Sequence, residues 1–84
     1  MDEKEFVALV KKNVAECAYA QQDNPMITED DVYIVWLCKT LQNSKALAST
    51  TLFDGRYYEL TYNGDKGELY VDVYKKDKNY TVIV

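Results

Sequence analysis

An 84-residue chain of 9.7 kDa is one domain, and it buries only about 60% of the surface that its unfolded form exposes. Its 48% hydrophobic and 29% charged residues are a globular composition, and 10 Lys plus Arg against 14 Asp plus Glu leave a net charge of −4. That sign opposes nonspecific nucleic-acid binding, which runs on phosphate neutralisation, and the absence of histidine removes the commonest general base and metal ligand together.

The first element is a helix over 2–22. Phe6, Leu9, Val10, Val14, Cys17, Ala18 and Gln21 recur at three- and four-residue steps, the period of one helix face. Asp2, Glu3 and Glu5 crowd the first turn, where the helix dipole favours anions, and Asp2 suits the N-cap. Asp23-Asn24-Pro25 supplies the stop, because proline biases the residue before it away from helical dihedrals. A linker over 23–31 follows.

From Val32 onward the period changes, and an antiparallel sheet is expected over 32–84, giving an α+β fold with one helix on one face of a four- to five-stranded meander. Val32–Leu41 and Lys45–Phe53 read as strands joined at Asn43-Ser44. Asp54-Gly55, a strong hairpin signal, leads into Arg56–Asn63. Gly64-Asp65-Lys66-Gly67 turns into Glu68–Lys75, and Tyr80–Val84 is a fifth, short strand. These turn lengths align three inward rows: Trp36, Thr51, Tyr58, Val73; then Cys38, Ser49, Leu60, Val71; then Thr40, Leu47, Tyr62, Leu69. Val82 and Val84 extend the first two. Cys17 and Cys38 both point inward on this register and read as small buried hydrophobes.

The opposite face is the candidate site. Tyr33, Val35, Leu37, Leu52 and Tyr57 form an apolar, aromatic group on it, and Glu59, Tyr70, Asp72 and Tyr74 add acidic and tyrosine positions. One helix covers one face of a sheet, and contiguous apolar patches left in water mark interaction surfaces, where tyrosine is enriched. The competing reading has the linker, through Met26 and Ile27, folding back over this group. Glu59 and Asp72 fall opposite each other, a destabilising pair unless a partner's cation, a divalent ion, or lysines such as Lys39 or Lys75 offset it. Leu37→Asp is expected to keep the fold and abolish association.

No catalytic, cofactor or metal residues are assigned. Two cysteines without histidine do not make a zinc site, and Gly64-Asp65-Lys66-Gly67 precedes a strand rather than the helix that a phosphate loop needs. No apolar run approaches the roughly 20 residues of a membrane span, and Met1–Glu5 lacks the cationic, apolar pattern of a secretory signal. A cytoplasmic, non-enzymatic protein is expected.

The stretch Trp36-Leu37-Cys38-Lys39-Thr40-Leu41-Gln42-Asn43-Ser44-Lys45-Ala46-Leu47, with Ser49–Leu52, Tyr57–Asp65 and the opening Met1–Phe6, resembles a family of small uncharacterised proteins from phages and prophages of Gram-positive bacteria. The resemblance implies an accessory protein made in the bacterial cytoplasm, and it assigns no ligand and no functional residue. Three functional readings stand. The first is a protein-binding module on the outer face, acting on a host or phage protein as a host-takeover or anti-defence inhibitor, with a homodimer compatible. The second is a small-ligand binder that stacks a nucleotide base on tyrosine. The third is an accessory of single-stranded nucleic acid, which the acidic charge disfavours.

Overall fold

The computed structural model describes residues 1–22, 27–52 and 55–84. Helix α1 (Glu3–Gln22) precedes a 3-10 turn at Glu29–Asp31 and four strands, β1 (Val32–Thr40), β2 (Asn43–Thr50), β3 (Arg56–Asn63) and β4 (Glu68–Lys75). The strands pair antiparallel in the order β1-β2-β3-β4, an open meander with α1 on one face, so the α+β architecture is the expected one.

The helix forms as its sequence dictates. The Glu5 amide donates to Asp2 Oδ1 at 2.7 Å, and the Asp2 amide reaches Glu5 Oε1 at 3.5 Å, a reciprocal cap on the first turn. Phe6, Val10, Val14 and Ala18, spaced by four, are at most 1% exposed. Burying the larger ones contributes roughly 1.5–3 kcal/mol each. The Asp23-Asn24-Pro25 stop and Met26 lie outside the described residues. Ile27 is buried in the helix-side core, so that end of the linker does not cover the outer face. Thr28 and Asp31 close the 3-10 turn, the Thr28 amide donating to Asp31 Oδ2 at 2.8 Å.

The second half of the sheet has the expected register. Tyr58 lies opposite Val73, Leu60 opposite Val71 and Tyr62 opposite Leu69, with Glu59 opposite Asp72. The first half departs from expectation in three ways. Its turn is Leu41-Gln42, and Asn43-Ser44 lies inside β2. Leu-Gln carries no turn signal, and Leu41 takes the left-handed φ of 56° that normally selects glycine or asparagine. Next, Ile34 pairs with Ala48 while Trp36 pairs with Leu47, so Val35 is the extra residue of a β-bulge. Finally, residues 51–55 link β2 to β3 where Asp54-Gly55 alone was expected. Gly55 has φ 69°, and 53–54 lie outside the described residues.

Because side chains alternate along a strand, an odd shift exchanges the two faces. β2 therefore turns Ala46, Ala48 and Thr50 to the helix, and the expected Leu47, Ser49 and Thr51 are not its inward set. The alanines, fully buried, let α1 approach the sheet closely. Past the bulge β1 is exchanged as well. Leu37 faces the helix beside Ala46 and packs on the core, whereas Trp36, Cys38 and Thr40, expected inside, are exposed. Cys17 still packs against the core, so the two cysteines do not share an interior.

Tyr80–Val84 is not a fifth strand. Residues 76–84 carry no regular structure and are exposed. The molecule is thin, 41 × 38 × 18 Å, and its radius of gyration of 13.8 Å exceeds the roughly 12 Å of a compact chain of this length.

Candidate functional site

The sheet face away from α1 is built by the regular alternation of β3 and β4 and by the exchanged alternation of β1 and β2. Tyr33 lies beside Ser49 at one end, and Tyr57 lies beside Tyr74. The middle row runs Trp36, Leu47, Glu59, Asp72, and the next runs Cys38, Lys45, Thr61, Tyr70. Tyr33 is 48% exposed, Trp36 and Tyr70 42% and Tyr74 52%, so four large rings meet water on one face.

Seven of the nine expected residues share this face or its edge: Tyr33, Val35, Tyr57, Glu59, Tyr70, Asp72 and Tyr74, with Val35 exposed at the bulge. Leu37 and Leu52 do not. Leu37 is on the helix side, and Leu52 packs against the core cluster while its amide donates to Thr50 Oγ1 at 3.2 Å. The expectation that Leu37→Asp spares the fold falls with that placement. The residue missed was Trp36, the single tryptophan, because its apolar ring suggests a core position unless the bulge at Val35 is known.

Electrostatics on this face are partly balanced. Lys45 Nζ lies 3.4 Å from Glu59 Oε1 on a diagonal of the β2–β3 pair. Neither Lys39 nor Lys75 supplies that cation; Lys39 Nζ donates instead to the Met1 carbonyl at 2.9 Å. An exposed pair of this kind contributes at most about 1 kcal/mol. Asp72 has no ion-pair partner among the described residues. The Tyr70 hydroxyl donates to Glu68 Oε1 at 3.2 Å, and partial desolvation together with that carboxylate holds its pKa above the ordinary phenol value.

The face also carries two hollows. One, about 330 Å³, is walled by Trp36, Cys38, Thr40, Lys45 and Thr61 and is largely apolar. The other, about 340 Å³, lies at the open end of the β2–β3 pair, where Tyr33 and Tyr57 meet Arg56 and Lys76. Ser49 Oγ donates to the Arg56 carbonyl at 2.8 Å there and holds β2 against β3 beyond the last ladder pair.

Among the described residues no three metal-ligating side chains cluster, and no helix is long and apolar enough to cross a membrane. No curated protein and no solved structure matches the chain. A family model does match, over residues 4–84, which takes in the helix, all four strands and the exposed C-terminal segment. The chain therefore belongs to DUF6275, a family of unknown function.

Proposed function

We propose that this chain is a non-enzymatic binding module that engages a protein partner through the outer sheet face. The observation that carries the reading is the exposure of Trp36, with Tyr33, Tyr70 and Tyr74, on the sheet face opposite α1. Interface energy concentrates in a few aromatic anchors, and tryptophan and tyrosine lead that list. Tyr33, Tyr57, Tyr70 and Tyr74 add apolar bodies and polar tips across the same face, and Asp72 offers an unpaired carboxylate to a partner's cation. The resemblance to small phage and prophage proteins directs the choice of partner toward a host or phage protein in a bacterial cytoplasm, occupied as a takeover or anti-defence step.

The test is a pull-down from host lysate with the wild type, Trp36→Asp and Lys12→Glu, the last on the exposed side of α1. A stoichiometric protein held by wild type and Lys12→Glu but lost by Trp36→Asp supports the reading. Equal retention by all three overturns it.

A second reading has its own observation. Arg56 and Lys76 bring two cations to the hollow lined by Tyr33 and Tyr57, a combination suited to a base stacked on tyrosine with its phosphate on arginine. A nucleotide panel in thermal unfolding checks it. A ligand at 100 times its dissociation constant adds about 2.7 kcal/mol, and a flat panel removes the reading.

A further inference from the structure

We propose that residues 80–84 form a strand that adds to the β4 edge of a second copy of this chain, which returns its own segment to the first, making a two-fold dimer with one continuous sheet. This concerns the sheet's edge and stands independently of the outer-face reading.

The segment Tyr80-Thr81-Val82-Ile83-Val84 is wholly of β-favouring residues, yet it lies outside the fold. Tyr80 is 77% exposed, Val82 76% and Ile83 91%, and among the described residues no hydrogen bond or ion pair ties 77–84 to the rest of the molecule. Five residues of this kind, held in water, have the composition of a strand without its neighbours. A return onto their own β4 would need a tight reversal within 76–79. The favoured two-residue hairpins require positive φ, and no residue there has it. The ladder instead runs one residue past β4, the Lys76 amide donating to the Gly55 carbonyl at 2.6 Å.

The acceptor is equally specific. Both outer strands of the sheet are edges, but β1 is kinked by its bulge, a device that discourages edge pairing. β4 pairs with β3 through eight consecutive residues without a bulge, leaving a straight, open edge. The bond from Lys76 sets the alternation of the ladder. It turns the amides and carbonyls of Leu69, Val71 and Val73 toward that free edge. The side chains of the same three residues lie on the helix side, beyond the reach of α1, which packs chiefly over β1 and β2. Val73 is accordingly 39% exposed, and Leu69 and Val71 only half-buried.

Antiparallel exchange about a two-fold axis at Lys76 satisfies both needs, because alternation continued from β4 keeps the odd-numbered residues on the helix side with their amides and carbonyls turned to the free edge. Ile83 of the second copy falls beside Leu69 and Thr81 beside Val71 on the helix side, and the exposed edge amides gain acceptors. On the outer face Val82 falls beside Tyr70 and Tyr80 beside Asp72. Lys75 of each copy faces Asp77 of the other, which offsets the approach of the two Lys76 side chains at the axis.

Sedimentation equilibrium of the 84-residue chain, beside Ile83→Lys and a form ending at Asp77, tests the proposal. The intact chain is expected at twice its 9.7 kDa mass, and both altered forms at the single mass with unchanged circular dichroism. A register test uses a Cys17→Ala, Cys38→Ser background, mixing Asp72→Cys with Tyr80→Cys, which the exchange places opposite each other as a non-hydrogen-bonded pair. Oxidation should link these two chains and leave the mixture of Asp72→Cys with Val82→Cys largely unlinked. A monomeric intact chain, a dimer indifferent to loss of the segment, or equal linking in both mixtures overturns the proposal.

Discussion

The β1–β2 and β3–β4 hairpins share one sheet and are built on opposite principles. β3 and β4 pair in register along their whole length, and large side chains fill their inward rows: Tyr58, Leu60 and Tyr62 against Val73, Val71 and Leu69. Their turn is relaxed, with Gly67 supplying the left-handed residue at φ 65° and Asn63 Oδ1 accepting the Asp65 amide at 3.1 Å. β1 and β2 carry a bulge, a left-handed leucine in the turn and alanines on the inward face. The irregular hairpin lies closest to the helix and gives up side-chain volume so that α1 can come down on it. It also places Trp36 in water. The regular hairpin supplies the bulk of the sheet's own core, and the irregular one supplies the docking surface for α1 together with the tryptophan of the proposed interface.

If bulk is carried by β3, the largest loss of stability should come from there. Leu60, fully buried between Ala46 and Val71, should cost about 2–5 kcal/mol on truncation to alanine, read as a fall in the urea midpoint at constant slope. A cost below about 1 kcal/mol would mean that the regular hairpin is not the core. The next test lies within β1. Leu37→Asp should lose roughly 2–3 kcal/mol, because it places a carboxylate against the apolar core, whereas Trp36→Asp one residue earlier should stay within about 0.5–1 kcal/mol of wild type. Equal losses would return both to the same environment and remove the bulge from the argument.

The helix, the four strands and the regular hairpin were legible in the sequence because each rests on local signals: a four-residue apolar stripe, a capping aspartate, and a glycine-bearing turn between alternating strands. The faces of β1 and β2 were not. A bulge adds one residue without leaving a compositional mark, and Val35 sits in a run of apolar residues that reads equally well in either phase. Ala46 and Ala48 look like surface residues until the helix that they admit is in place. Leu37 entered the candidate site and Trp36 was left out of it for that reason, whereas Leu52 entered it because the link from β2 to β3 spans 51–55 and not the two residues expected. The aromatic character of the outer face survived the exchange, since Tyr57, Tyr70 and Tyr74 belong to the strands whose phase was right.

A smaller effect isolates the turn of the irregular hairpin. Leu41 is 84% exposed at φ 56°, so its side chain gains little from burial while its backbone is held in a conformation that costs an L-residue roughly 1–2 kcal/mol. Leu41→Gly removes that strain and adds the chain entropy of glycine, for a net gain of up to about 1 kcal/mol. Gly64, in the neighbouring turn, is the contrasting case. A Cβ there would press on the Gln42 carbonyl, so Gly64→Ala should destabilise where Leu41→Gly stabilises.

The smallest effect concerns how the irregular hairpin is tied to the start of α1. Lys39 donates to the Met1 carbonyl, and the Asp2 carboxylate next to it accepts the Glu5 amide, which with the nearby positive charges holds the Asp2 pKa below its ordinary value. A carboxylate whose folded pKa is depressed adds stability that is complete above its unfolded pKa and is lost as pH falls through the folded one. The wild type should therefore lose melting temperature more steeply than Asp2→Ala on acidification below the ordinary aspartate range, and the two curves should converge at the acid end. Asp2→Asn should follow the flatter course while keeping a side-chain oxygen for the Glu5 amide, and so sit above Asp2→Ala throughout. Parallel curves for wild type and Asp2→Ala would show that the cap acts through its hydrogen bond alone. The charge at the foot of the helix would then have no part in fastening α1 to the hairpin beneath it.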